Sequence, residues 1–189
     1  PVAPIVLLTA SPTAQLAQQA MLSGVTELFR KQDVEELITF MRHFLEANQP
    51  LLSRILYVED ARGQRELLSS QLRDWGMTVD AFPTADEAWE AFLRNDYDLV
   101  LSDIHLGGHM SGARLINRIR RQGLPKGGIP ILAVTAFDNQ ARRIELFHLG
   151  IDDYVLKPVI PVELRARLHN LLTRKRATER NQHLLAASS

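Results

Sequence analysis

From residue 54 onward the sequence predicts an α/β fold, with a doubly wound five-stranded parallel sheet that has helices on both faces. Short apolar segments such as Ile55–Val58 and Leu99–Leu101 are continuous rather than alternating, as in strands buried on both sides. These segments alternate with stretches of helical periodicity, which is typical of parallel sheets. The region is about 120 residues long, too short for an eight-stranded α/β barrel.

The strands of this region end at polar residues or turns, and apolar residues at helical spacing predict a helix after each of them. We expect strands over residues 54–58, 78–82, 98–103, 130–134 and 153–156. The inward positions that we expect in the first three helices are Leu67, Leu68, Leu72 and Trp75, then Ala88, Ala91 and Phe92, then Leu115, Ile116 and Ile119.

Capping residues indicate where several helices begin and end. Thr84 and Glu87 have the capping-box spacing at the start of the second helix. Gly76 and Gly150 are suited to end helices, because glycine adopts the left-handed conformation without a steric penalty. Pro161 suits the first turn of a last helix that runs through Leu172 and beyond.

The first 49 residues repeat the last part of this pattern. Pro-Ile-Val-Leu-Leu-Thr-Ala at 4–10 resembles Pro-Ile-Leu-Ala-Val-Thr-Ala at 130–136, at a constant offset of 126 residues. Further matches at this offset are Gly24 with Gly150 and Lys31 with Lys157, whereas Gln32 stands opposite Pro158. We therefore expect a β-α-β-α half of a duplicated domain, without the acidic residues described below.

Composition excludes several classes of protein. The chain has 22 basic and 22 acidic residues, so its net charge gives no bulk attraction to nucleic acid or to an acidic membrane. It has no cysteine, which excludes disulfides, thiolate metal sites and a cysteine nucleophile and fits a reducing cytoplasm. No apolar run approaches the roughly 20 residues of a membrane span. We expect a cytoplasmic protein.

Polar residues collect at the ends of the predicted strands. Glu59 and Asp60 follow the first strand, Asp103 ends the third, and Thr135 and Lys157 follow the fourth and fifth. The acidic pair alone is equally compatible with solvated loop acids. Strand ends of a parallel sheet meet at one edge, however, and three acids there favour a divalent cation, with Mg²⁺ the best fit. Together with a lysine and a hydroxyl donor, they indicate a phosphoryl-transfer site that forms an acyl phosphate.

These residues resemble the receiver domain of two-component response regulators, with which residues 54–173 match continuously. The resemblance implies a flavodoxin-like fold with strand order 2-1-3-4-5, and it makes residues 1–49 the C-terminal half of a first, truncated receiver. The landmarks that carry it are Glu59-Asp60, Asp103, Thr135-Ala136 and Asp152-Asp153-Tyr154-x-x-Lys157-Pro158.

The resemblance implies a role for each residue of the site. Asp103 would be the phosphoacceptor, and it would bind Mg²⁺ directly with Asp60 and the backbone carbonyl of His105. Glu59 would act on the cation through water. Lys157 would bind a phosphoryl oxygen and form a cis peptide bond with its proline.

Thr135 and Tyr154 are the residues that the resemblance assigns to switching. Thr135 would bind a phosphoryl oxygen, and Tyr154 would turn inward when Thr135 moves. Tyr154 is also compatible with simple packing at a sheet edge. One departure from the family is the loop Leu-Gly-Gly-His-Met-Ser-Gly at 106–112, which lacks the family's usual proline and predicts a looser loop.

The domain organisation that we expect is a half-receiver (1–49), a linker (50–53), a receiver (54–173) and an outgoing helix (174–189). The implied partners are a histidine kinase or phosphotransfer protein and an output domain in the same bacterial parent chain. A homodimer would form through the receiver's fourth helix, fifth strand and fifth helix, or through the half-receiver. The chain would catalyse its own phosphorylation without being a free-standing enzyme. Two alternatives are a phosphorylation-independent interaction module and a regulatory fragment of a diguanylate cyclase or hybrid histidine kinase.

Overall fold

The computed structural model describes residues 4–136 and 140–187 and divides the chain into two compact units, Pro1–Gln49 and Pro50–Ser189. The first unit has the β-α-β-α order that its repeat predicts. Its elements are β1 (Val6–Thr9), α1 (Ala14–Leu22), β2 (Glu27–Arg30) and α2 (Val34–Asn48). The strands β1 and β2 pair in parallel to form a two-stranded sheet.

The second unit contains a five-stranded parallel sheet in the order β4-β3-β5-β6-β7, which confirms the predicted fold. Its strands are β3 (Arg54–Val58), β4 (Thr78–Phe82), β5 (Leu99–Asp103), β6 (Ile131–Thr135) and β7 (Asp153–Leu156). Its helices are α3 (Arg62–Asp74), α4 (Ala85–Arg94), α5 (Gly112–Arg120), α6 (Gln140–Leu149) and α7 (Pro161–Ala187), with a 3₁₀ turn at Lys126–Gly128. The strand β3 lies inside the sheet, where it pairs with β4 on one side and with the central strand β5 on the other.

Apolar side chains on the two faces of this sheet form two separate cores. Leu56 and Val58 of β3 belong to one core, which includes residues of α4, α5 and α6. Ile55 and Tyr57 point to the opposite face and belong to the core with α3 and α7. This explains why the strand is continuously apolar. No helix among the described residues is both long and apolar enough to cross a bilayer.

Helix starts follow the predicted caps, but one predicted core position is wrong. The hydroxyl of Thr84 accepts a hydrogen bond from the Glu87 N–H at 3.2 Å, which begins α4 as expected. In α3, Leu68 and Leu72 are buried, whereas Leu67 is 75% exposed. Leu68 and Leu72 lie one helical turn apart and share the face toward the sheet, and Leu67 precedes Leu68 by about 100° of rotation, toward solvent.

The strand pair of the first unit repeats that of β6 and β7. The offset of 126 residues that relates their sequences also relates the registers of the two strand pairs. The first pair aligns Val6 with Glu27 and Thr9 with Arg30, and the second aligns Leu132 with Asp153 and Thr135 with Leu156. The helices that follow these strands are also equivalent, since α1 and α6 begin at Ala14 and Gln140.

Candidate functional site

Three acidic side chains meet where β3 and β5 end. Glu59 and Asp60 follow β3 directly, and Asp103 is the last residue of the neighbouring strand β5. One carboxylate oxygen from each of the three lies within 4.8 Å of the other two. Glu59 and Asp103 are only 2% and 5% exposed, while Asp60 is exposed. Carboxylate oxygens are the ligands that hard cations prefer, so the donor set and its spacing fit Mg²⁺.

Lys157 follows β7 and places its ammonium group between two of these acids. Its Nζ lies 2.5 Å from Oδ2 of Asp103 and 2.8 Å from Oε2 of Glu59. The peptide bond between Lys157 and Pro158 is cis, as predicted. Burial lowers the pKa of Lys157, but hydrogen bonds and attraction from Asp103 and Glu59 outweigh that effect, and the pKa lies above its usual value. The lysine is therefore charged at neutral pH and balances the buried carboxylates.

Both carboxylate oxygens of Asp103 have defined partners. Oδ1 accepts a hydrogen bond from the backbone N–H of His105 at 2.8 Å, and Oδ2 faces Lys157. The backbone of Asp103 is packed just as closely, because a Cβ on Gly112 would overlap its carbonyl group. Asp103 is thus held by a lysine from one loop and an amide from another. That the backbone carbonyl of His105 binds the cation stays a prediction.

Thr135 and Tyr154 lie on β6 and β7, the two strands that follow β5 in the sheet. Thr135 ends β6 and is 2% exposed. It borders a cavity of about 190 Å³, whose walls also include His105 and Leu146. The ring of Tyr154, half-buried on β7, makes an edge contact with Phe147, with 6.0 Å between the ring centroids. The structure therefore brings four predicted site residues (Glu59, Asp60, Asp103 and Lys157) together. Thr135 ends the adjacent strand β6, and Tyr154 lies one strand further along the sheet.

The sequence profile of the response regulator receiver domain matches residues 55–169 of the chain. That match contains nearly all of the five-stranded sheet and all three acids. The chain belongs to the response regulator receiver domain family. Among curated relatives of this receiver, the two-component response regulator PhoP of Pseudomonas aeruginosa is 41% identical over 121 residues, which cover 64% of this chain and 52% of PhoP. The chain spans about half the length, or less, of the curated relatives that we compared.

Solved receiver structures resemble the second unit. One is the BeF3-activated N-terminal receiver domain of Klebsiella pneumoniae RstA, at 34% identity and a TM-score of 0.57, covering 63% of this chain and 97% of that one. Another is the receiver domain of the sensor histidine kinase PA1611 from Pseudomonas aeruginosa, at 30% identity and a TM-score of 0.58, covering 64% and 98%. The PA1611 receiver was solved with a magnesium ion coordinated in its active site cleft.

Two contacts to the acidic pair of this receiver were not predicted. Arg65 donates from Nη1 to the backbone carbonyl oxygens of Glu59, at 2.7 Å, and Asp60, at 3.2 Å. The N–H of Gly107 donates to Oδ2 of Asp60 at 2.9 Å. The only sequence signal for Arg65 is an arginine in the first turn of the helix that follows the acids. The only sequence signal for Gly107 is that it lies where the loop departs from the pattern of the family.

Tyr57 is a buried tyrosine on the strand that leads to Glu59 and Asp60. It lies on β3, two residues before Glu59, and its side chain is buried between the sheet and the helices α3 and α7. Burial raises the pKa of Tyr57 strongly, and the negative charges of Glu59 and Asp103 raise it further. The phenol therefore stays neutral behind the acidic cluster.

Proposed function

We propose that this receiver accepts a phosphoryl group on Asp103 from the phosphohistidine of a histidine kinase or phosphotransfer protein, in a reaction that depends on Mg²⁺. The observation that carries the proposal is the Asp103 carboxylate, which contacts Lys157 at 2.5 Å and lies within metal-ligand spacing of Glu59 and Asp60. A carboxylate held by a lysine, beside two further acids, is suited to nucleophilic attack on phosphorus once a cation offsets the charge.

In the proposed transfer, a carboxylate oxygen of Asp103 forms a bond to phosphorus while the bond from phosphorus to the donor histidine nitrogen breaks. The electron pair of that bond stays on the departing imidazole, and an acyl phosphate results. Lys157 then binds a phosphoryl oxygen, since its ammonium already lies beside Asp103. The hydroxyl of Thr135 donates to another phosphoryl oxygen.

The residues that would hold the cation are Asp60, Asp103 and the backbone carbonyl of His105, with Glu59 acting through water. When bound, Mg²⁺ neutralises the negative charge that accumulates on the phosphoryl oxygens. Without a cation, Lys157 already offsets part of the charge of Glu59 and Asp103. The acidic site is therefore formed in advance, which favours binding of a small cation that keeps several of its waters.

Phosphorylation is proposed to shift the receiver between two states through Thr135 and Tyr154. Support comes from the cavity beside Thr135, which reaches Leu146 and Leu149 of α6. A movement of Thr135 toward the phosphoryl group would change the packing of α6, and Tyr154 on β7 would turn inward. We propose that the face formed by α6, β7 and α7 then contacts the output domain or a second copy of the chain.

Residues 1–49 are proposed to be the C-terminal half of another receiver, followed by a linker (50–53), the complete receiver (54–173) and a helix (174–189) that leads toward an output domain. The shared register of the strand pairs β1–β2 and β6–β7 supports this duplication. The first unit has Thr9 and Lys31 in the positions of Thr135 and Lys157 but none of the three acids. An interaction role independent of phosphate is therefore proposed for the first unit.

Acetyl phosphate in the presence of Mg²⁺ tests the function of the whole chain. Intact mass spectrometry should show one added phosphoryl group, which is absent when Mg²⁺ is chelated and absent in Asp103→Asn. Asp98→Asn is a matched control, because Asp98 immediately precedes β5 and lies outside the acidic cluster. No adduct on the wild-type chain, or an adduct that persists in Asp103→Asn, would contradict the proposal. A second adduct would contradict the proposal that the first unit is not phosphorylated.

A further inference from the structure

Asp60 is held differently from the other two acids of the site. Lys157 contacts Glu59 and Asp103, whereas Asp60 forms no ion pair within residues 4–136 and 140–187. Its carboxylate instead accepts a hydrogen bond at Oδ2 from the backbone N–H of Gly107, at 2.9 Å. This bond joins the loop that follows β3 to the loop that follows β5, across 47 positions of sequence. The orientation of an exposed carboxylate therefore depends on one backbone amide.

The loop around Gly107 is built so that this amide is fixed. Leu106 and Met110, on either side of the exposed turn, are buried and belong to the core with α4, α5 and α6. Gly108 has a φ of +108°, a conformation that side chains disfavour, and it turns the chain directly after the amide. The expected looseness of the glycine pair is thus limited by two buried anchors.

The hydrogen bond leaves limited space for a side chain at position 107. A Cβ on Gly107 would lie 3.3 Å from Oδ2 of Asp60, which is tight but not an overlap. Proline, which the family pattern places in this part of the loop, has no N–H and is unable to make the bond at all. The departure from the family pattern therefore supplies a donor that proline would remove.

We propose that Gly107 is a positioning residue for the cation site, whose N–H holds Asp60 by Oδ2 and leaves Oδ1 available to bind a cation. This inference rests on the proposed function, because it needs Mg²⁺ to bind at Asp60. Groups that hydrogen-bond to metal ligands orient them, and their loss typically lowers metal affinity by roughly 10- to 100-fold. An uncharged backbone amide is expected to act toward the lower end of that range.

Isothermal titration of the full chain with MgCl₂ tests the proposal. Gly107→Pro removes the donor and should weaken Mg²⁺ binding by about 10-fold. Gly107→Ala keeps the N–H and should recover most of the affinity that the proline variant loses. Thermal unfolding in EDTA should be nearly the same for both variants, which separates metal positioning from general destabilisation. Equal Mg²⁺ affinities for the proline variant and the wild type would overturn the proposal.

A second substitution keeps the test decisive if proline also disturbs the loop. Semisynthesis can replace the amide of residue 107 by an ester, which removes the N–H and leaves the glycine backbone otherwise unchanged. The same loss of about 10-fold is expected, and unchanged affinity would again overturn the proposal.

The proposed function and the role of Gly107 can fail separately. Failure of the wild-type chain to bind Mg²⁺, or binding unaffected by Asp60→Asn, would contradict both the metal site and any role of Gly107 in it. Binding that is lost in Asp60→Asn but unaffected by proline or the ester would refute only the role of Gly107. The hydrogen bond itself has a metal-free readout, since the Gly107 amide should exchange its proton faster in Asp60→Ala.

Discussion

Replacement of Lys157 by methionine should destabilise the receiver and make its stability more dependent on Mg²⁺. The ammonium group contacts two carboxylates, at 2.5 and 2.8 Å, whose side chains are only 7% and 2% exposed. Removal of one partner from a fully buried ion pair costs about 3–5 kcal/mol. The Lys157 side chain is 21% exposed, so water can partly replace it, and we expect the free energy of unfolding to fall by about 2 kcal/mol.

Urea unfolding at neutral pH measures this difference. Both tryptophans, Trp75 and Trp89, lie in the second unit, so their fluorescence reports on the receiver alone. Lys175→Met is a matched control, because this lysine is also 21% exposed and contacts two carboxylates, on Asp98 and Glu179. Those carboxylates are 41% and 49% exposed, so the control should cost less than about 1 kcal/mol.

Mg²⁺ should separate the two lysine variants. A cation that binds beside the uncompensated acids replaces the missing positive charge and stabilises only the folded state. At 100 times the dissociation constant, such a ligand adds about 2.7 kcal/mol to the free energy of unfolding. We expect Lys157→Met to gain more from Mg²⁺ than the wild type does, and Lys175→Met to gain the same. If Lys157→Met in EDTA is as stable as the wild type, or gains no more from Mg²⁺, the charge-balancing role of Lys157 is refuted.

Two further predictions follow from the packing and the buried phenols. Gly112→Ala should lower the free energy of unfolding by about 1–3 kcal/mol, because its Cβ would overlap the Asp103 carbonyl. Gly63→Ala, in the open first turn of α3, is the control and should not destabilise the protein. Melting curves that show equal effects of the two substitutions would contradict this prediction. Burial raises the pKa of Tyr57 and Tyr97 in the folded state, so the unfolded chain loses these protons first and stability should fall as the pH rises above about 10. Absorbance titration of the Tyr154→Phe variant, which leaves these two as the tyrosines of the chain, should show both phenols ionising together with unfolding. Tyrosinate formation in the folded variant at lower pH would argue against their burial.

The sheet and the identity of its acids were predictable because they depend on residue type and spacing. A strand covered on both faces needs a continuous apolar segment, and Ile55–Val58 supplies one in any context. Asp103 ends β5 beside β3, so the rule that parallel strands end at one edge was enough to bring it near Glu59 and Asp60.

The contacts that orient these acids were not predictable, because they come from groups without a sequence signature. Every residue except proline has a backbone N–H, and nothing in residue type shows that the one of Gly107 meets Asp60. In the sequence, Arg65 does not differ from the many other charged residues on helices. Only the structure shows that it contacts the carbonyl of Glu59. Leu67 was wrongly placed in the core, since a run of two leucines does not show which of them faces the sheet.

The internal repeat shows which backbone features the β-α-β unit keeps in a copy that has no acidic site. The N–H of Lys31 donates to the carbonyl of Thr9 at 2.9 Å, and the N–H of Lys157 donates to the carbonyl of Thr135 at 2.8 Å. These are the same backbone bond at an offset of 126 residues, and Gly24 and Gly150 share a positive φ before the second strand of each pair. The proposed chemistry instead needs acids that follow strands equivalent to β3 and β5. The same backbone bond and a glycine in the same conformation therefore accompany the β-α-β unit even where the acids of the proposed site are absent.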